Sequence, residues 1–206
     1  MSTLVRPATV LDRLPRVARI VLVTLPGLLL AAVGTTHPVF LRPDTAQQWQ
    51  TGHLVLLPVF PLLAVSMWLV LRGERGPAAW GTRLLALAYA LLYGALDSIA
   101  GIGAAHQVLR TTARGDSRAP IEDLFHIADQ LGALGVYSLA GSAVLAAGVL
   151  FQRWRSPLSL AGAAVVVAAC YPFLMHHIFP PKGVLAVAVI GVGQGLLEAS
   201  RGRRTG

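Results

Sequence analysis

This chain is poor in charge. Only 13% of its 206 residues are Asp, Glu, Lys or Arg, about half the roughly 25% of a soluble domain. That leaves too little polar surface to solvate a globular fold. With 55% hydrophobic residues spread along the whole length, the composition is that of a polytopic membrane protein. Cysteine is almost missing: Cys170 stands alone, which excludes an internal disulfide and any cysteine-rich metal motif. Lysine is almost missing too. Lys182 is the only one, and arginine supplies the other 16 of the 17 basic residues. Together with an Ala, Gly, Val and Leu bias, this points to a high-GC bacterial source. No H-E-x-x-H pair, G-x-S-x-G elbow or phosphate-cradling glycine loop occurs. The formal net charge of +8 is not a nucleic-acid footprint, because the cations lie in short connections between apolar runs.

Six apolar stretches are present, each near the roughly 20 residues that cross a hydrocarbon core. They run approximately over Val17–Thr35, Gly52–Leu71, Arg83–Ala105, Phe125–Phe151, Leu158–Met175 and Gly183–Glu198. Backbone amides in lipid must be satisfied internally, so these stretches are expected to be helices. The expected fold class is all-α: a bundle of about six transmembrane helices with short loops. One domain over 17–199 lies between a basic arm, 1–16, and a basic tail, 200–206. Pro58 and Pro61 lie three apart and should bend the second helix. Gly191 and Gly195 form a G-x-x-x-G pattern suited to close internal helix packing. The longest connection, Gln107–Leu124, is polar and mixed in charge.

Arginine placement sets the expected orientation. Arg6, Arg13, Arg16, Arg19, Arg72, Arg75, Arg83, Arg153, Arg155, Arg201, Arg203 and Arg204 fall at one end of the segments. Only Arg42, Arg110, Arg114, Arg118 and Lys182 fall at the other. The positive-inside rule then puts both termini in the cytoplasm of a multi-pass protein of the bacterial plasma membrane. A cleavable signal peptide at Ala31–Gly34 is the rival reading of the first segment, but its apolar run is long for that role.

Histidines were not used for that assignment, yet all six fall at the extracytoplasmic end: His37, His53, His106, His126, His176 and His177. Imidazole is comfortable at headgroup depth, so a single one carries little meaning. Pairing carries more. His126 and Asp129, at i and i+3, share a helical face about 4.5 Å apart along the axis. An imidazole beside a carboxylate is a reasonable donor pair for a divalent metal ion. His53, His176 or His177 from other segments would complete the set. Two hairpins also share a pattern: Gly34-x-x-His37 precedes His53, and Gly103-x-x-His106 precedes His126.

Asp97 lies about 13 Å deeper than His106 along a helix. An aspartate near mid-membrane costs about 2.5–3.5 kcal/mol, so it should face the bundle interior and have a partner. Tyr89, Tyr93, Asp97 and Gly101 follow at i+4 intervals, and Tyr93 can donate to the carboxylate.

Four functions from different classes fit these features. The first is a protein binding or transporting a metal or protonatable small ligand, with His53, His126 and Asp129 at the mouth of an outer pocket, Asp97 as its floor and His106 among the ligand-binding residues. The second is an integral-membrane enzyme acting on a lipid or isoprenoid. Asp97 is then the general acid, helped by Tyr93 in a pocket lined by Tyr89 and Tyr137, or the outer histidines assist metal-dependent hydrolysis. The third is b-type haem held between His53 and His126. The fourth is a partner subunit without its own chemistry. The expected partners are the bilayer and a small-molecule, lipid or metal ligand, with the oligomeric state open.

Overall fold

A computed structural model describes residues 10–115 and 117–202. Arg6, Arg203 and Arg204 of the arginine pattern, and the outer parts of the expected arm and tail, lie outside these residues. Among the described residues every regular element is helical. A 3₁₀ turn, Val10–Arg13, precedes α1 (Arg16–Gly34), α2 (Ala46–Leu56), α3 (Leu62–Val70) and α4 (Pro77–Leu96). A π-helical turn, Asp97–Gly103, leads without a break into α5 (Ala104–Arg114). Then come α6 (Ala119–Trp154), α7 (Pro157–His176) and α8 (Lys182–Ala199).

Among the described residues, five continuous helical stretches are long and apolar enough to cross a membrane: Arg16–Gly34, Pro77–Thr112, Ala119–Trp154, Pro157–His176 and Lys182–Ala199. The second apolar stretch of the sequence is different, because it breaks between Leu56 and Leu62 into α2 and α3. Pro58 and Pro61 cannot donate the backbone bonds due at their positions, and two such losses within one turn end a helix rather than bend it. At 1.5 Å per residue, α2 and α3 reach only about 16 and 14 Å, so neither crosses alone. The Gln107–Leu124 connection is also shorter than the sequence implies. Helix continues to Arg114, and only 115–118 separate it from α6. Gly115 stops α5 with φ +72, and a proline in the first turn of α6 restarts the helix.

Helix α8 packs along both α1 and α7, while α4 lies along α6 and α6 along α7. Close approach at α1–α8 depends on glycine. A Cβ on Gly191 would sit 2.7 Å from the Thr24 carbonyl and 3.1 Å from Cα of Gly27, so the two backbones touch. Gly195 faces Thr24 on the same helix, so the G-x-x-x-G pattern serves internal packing. Large apolar side chains such as Val17, Leu84, Leu91, Tyr171 and Leu185 point outward. On a soluble protein these would be an aggregation hazard, whereas toward lipid they are at home.

The two ends of the bundle are chemically unlike. At the end where α1 begins and α8 finishes, Arg72 grips the buried Glu198 through two bonds of 2.6 and 2.7 Å. Arg19 adds a third at 3.0 Å, and Arg72 also reaches Asp12 at 3.1 Å. Arg201 donates to the carbonyls of Val70 and Arg72 at 2.6 and 3.0 Å. Burial first, then the neighbouring Arg72, lowers its pKa to about 10, so it remains a cation at neutral pH. These contacts tie α1, α3 and α8 together. The histidines gather at the opposite end, where α1 and α7 finish and α8 begins.

A three-histidine centre beside a buried carboxylate

Three short segments deliver the site. His37 follows α1, His53 lies in the last turns of α2, and His177 caps α7. One ring nitrogen from each lies within 4.8 Å of the other two, the group of three possible metal ligands found among the described residues. His37 and His53 are 7% and 2% exposed.

The orientation of each imidazole follows from its hydrogen bonds. His37 Nδ1 lies 2.7 Å from the Pro38 carbonyl oxygen, and His53 Nδ1 lies 2.8 Å from that of Trp49. A carbonyl only accepts, so both Nδ1 atoms carry the hydrogen and, in the neutral rings, both Nε2 atoms present lone pairs. Those two Nε2 atoms face each other at 3.4 Å. Two acceptors at that distance repel unless a positive species lies between them. His177 Nδ1 pairs with the Tyr93 hydroxyl at 2.5 Å, and its Nε2 has no hydrogen-bond partner among the described residues. All three rings therefore have Nδ1 engaged from outside the cluster, as metal-bound imidazoles characteristically do. Desolvation lowers the His37 pKa below the usual 6.5, which favours the neutral, ligating form.

Asp97 closes the arrangement. It is fully buried, and neither carboxylate oxygen has a hydrogen-bond partner among the described residues. Its Oδ1 lies 3.7 Å from His53 Nε2. An unpaired buried carboxylate is costly unless something cationic meets it. Asp97 opens the π-helical turn, a local geometry that tends to occur at functional positions. In the same turn the Ala100 carbonyl accepts from the Trp49 indole at 3.2 Å, which docks α2 against it. Gly101 provides the clearance: a Cβ there would overlap Cβ, Cγ and Cδ2 of His53. His177 has φ +47, a left-handed value that an L-residue adopts only when its surroundings enforce it. Trp49, Phe60, Tyr93 and Phe179 surround the three imidazoles with ring faces and edges, giving a mostly apolar shell.

Of the residues singled out in the sequence, His53, His177, Asp97 and Tyr93 meet here. Tyr93 pairs with His177 rather than with Asp97. Tyr89 is fully buried one turn away, its hydroxyl without a hydrogen-bond partner among the described residues. His126 is exposed and 2.9 Å from Gln130 on its own helix. Its companion Asp129 is exposed too, in a groove whose wall includes His177. His106 is exposed, His176 half-buried, and Tyr137 62% exposed. The haem pair expected from depth, His53 and His126, is thus not brought face to face. The close pair, His37 and His53, stands nearly perpendicular at 85° with Nε2 atoms 3.4 Å apart, tighter than the about 4 Å between two axial nitrogens of one iron.

His37 is the member of this group that sequence reasoning did not assign to the metal set. The available signal was its hairpin partnership with His53, sixteen residues on, in the first of the two G-x-x-H patterns. No protein-family model matches the chain, and neither a curated protein nor a solved structure matches it.

Proposed function

We propose that this chain is a multi-pass protein of the bacterial plasma membrane that holds one divalent transition-metal ion in a His37/His53/His177 centre, with Asp97 as the fourth donor. The α2–α3 pair makes the sixth, interrupted traverse, both termini are cytoplasmic, and the centre lies on the extracytoplasmic side. Five membrane-length helices and the arginine distribution support that placement.

One observation carries the metal reading. The Nε2 atoms of His37 and His53, both committed to lone-pair form by their Nδ1 bonds, stand 3.4 Å apart. In a tetrahedral zinc site with Zn–N near 2.0–2.1 Å, ligand nitrogens stand about 3.3–3.4 Å from one another. Three imidazoles and a carboxylate suit zinc, iron, cobalt or nickel rather than magnesium or calcium. A proton shared by the two imidazoles is the competing occupant, but it leaves the His177 Nε2 and both Asp97 oxygens unserved. The outward anchoring of all three imidazoles favours a resident ion over one in transit.

The test is titration of metal-free purified protein with Co²⁺, read by its visible d–d absorption, followed by displacement with Zn²⁺. One equivalent should bind. His53→Ala and the His37→Ala/His177→Ala pair should each abolish the signal, Asp97→Asn should weaken it, and His126→Ala/Asp129→Ala should leave it intact. Equal titrations of the wild-type protein and the His53→Ala variant would overturn the reading.

A further inference from the structure

Two of the grooves on the outer surface are comparable in size and differ in chemistry. One, of about 430 Å³ between α3 and α4, is lined by Pro61, Ala64, Val65, Trp68, Leu87 and neighbours. Its single side-chain polar group, the Trp68 indole N–H, is already donated to the Arg83 carbonyl. Such a surface offers a lipid tail nothing beyond ordinary contact. The other, of about 340 Å³ between α4, α6 and α7, has apolar walls that include Leu96, Val136, Phe173 and Leu174. It also carries polar groups at two depths. Asp129 in its lining is exposed, whereas Tyr93 is buried and His177 half-buried, the latter with a buried Nε2 that has no hydrogen-bond partner among the described residues. Its volume falls within the range of small-ligand clefts.

We propose that this second groove seats a membrane-borne amphiphile, an apolar chain whose head donates a hydrogen bond, as an alcohol or an amine does. The tail lies along Val136, Phe173 and Leu174, and the head meets the Asp129 carboxylate next to the His177 wall of the metal centre. In putting the head beside a metal, this rests on the reading above; the groove and its acid stand without it. Charge complementarity selects the head, because a carboxylate at the mouth accepts from a hydroxyl or ammonium and repels a phosphate or fatty-acid carboxylate. Direct entry from the bilayer suits such a ligand. The centre's aromatic shell leaves it shielded from water, while one ligand, His177, forms part of a groove wall.

The experiment uses the full chain in nanodiscs with a diazirine-bearing hexadecanol as the probe, and peptide mapping of the crosslinks. Label should concentrate on the α6 and α7 residues of the groove, around Ala133 and Leu174, at least fivefold over the α3–α4 groove. Unlabelled hexadecanol should compete, and hexadecane and palmitate should not. Ala133→Trp should remove the label by filling the groove, and Asp129→Leu should remove the preference for the alcohol while leaving Co²⁺ binding unchanged. Equal labelling of both grooves, or equal competition by hexadecane, overturns the proposal. Saturable labelling in a protein that binds no Co²⁺ supports the groove and refutes only the metal centre. Co²⁺ binding with uniform labelling refutes the groove alone.

Discussion

Replacing Gly101 with alanine adds one methyl group, and the structure says where it goes. The new Cβ would occupy the space of the His53 Cβ, Cγ and Cδ2 atoms, the root of that side chain rather than a flexible end. His53 cannot swing aside. Its Nδ1 is held at 2.8 Å by Trp49, its ring stacks on the Trp49 indole at 5.3 Å, and the His37 ring stands edge-on at 4.8 Å. Helix α2 must therefore move away from the π-helical turn, taking an imidazole out of the centre. Overpacking of this kind costs about 1–3 kcal/mol, which for a chain of this size lowers Tm by roughly 2–12 °C. Displacing a ligand's support weakens metal affinity about 10–100-fold. Gly94→Ala, seven residues earlier, is the control, since a Cβ there meets nothing within 4 Å. It should be neutral or stabilising by up to about 1 kcal/mol through helix propensity. Thermal unfolding in detergent with and without Zn²⁺, beside Co²⁺ titration, reads both effects. A Gly101→Ala protein that melts and binds as the wild type does, or a Gly94→Ala protein damaged equally, would refute the reasoning.

Three further outcomes are expected. Tyr93→Phe should weaken Zn²⁺ binding about 10–100-fold in a chelator competition, because it strips the His177 Nδ1 of its partner, whereas Tyr89→Phe removes a hydroxyl with no partner and should be tolerated. Glu198→Gln should cost about 3–5 kcal/mol, measured by thermal or denaturant unfolding, because Arg72 and Arg201 are then left buried around a neutral amide; its Co²⁺ stoichiometry should not change. Finally, the folded-state pKa of His37 lies below its unfolded value of 6.5. In the window between the two the unfolded chain binds more protons, so the His37 contribution to the stability of the metal-free protein is full above pH 6.5 and falls as pH drops below it. His37→Asn should flatten that slope in a Tm-against-pH series.

Depth along a helix is legible in this sequence, and direction around it is not. Apolar runs and arginines reveal the helical class, the two chemically distinct ends and the one-sided histidines. The direction in which a residue points is hidden, because lipid and bundle core are both apolar and the usual amphipathic contrast disappears. His126 and Asp129 show the consequence. Their i, i+3 spacing does place them on one face of α6, but that face looks outward. Likewise His37 and His106 end identical G-x-x-H patterns, yet His37 enters the cluster and His106 is exposed. The break at Pro58 and Pro61 was foreshadowed as a bend. The polar start of α2, Ala46–Thr51, had no apolar run to announce it. Gly101 was visible on the Tyr89–Tyr93–Asp97 stripe, but its role needed the π-helical turn, which no spacing rule encodes.

X-ray absorption at the zinc edge of the Zn²⁺-loaded protein tests the central claim most directly. Three imidazole nitrogens and one oxygen near 2.0–2.1 Å are expected, with that set of scatterers lost in His53→Ala. A first shell of oxygens alone, or a spectrum unchanged by that substitution, would contradict the account.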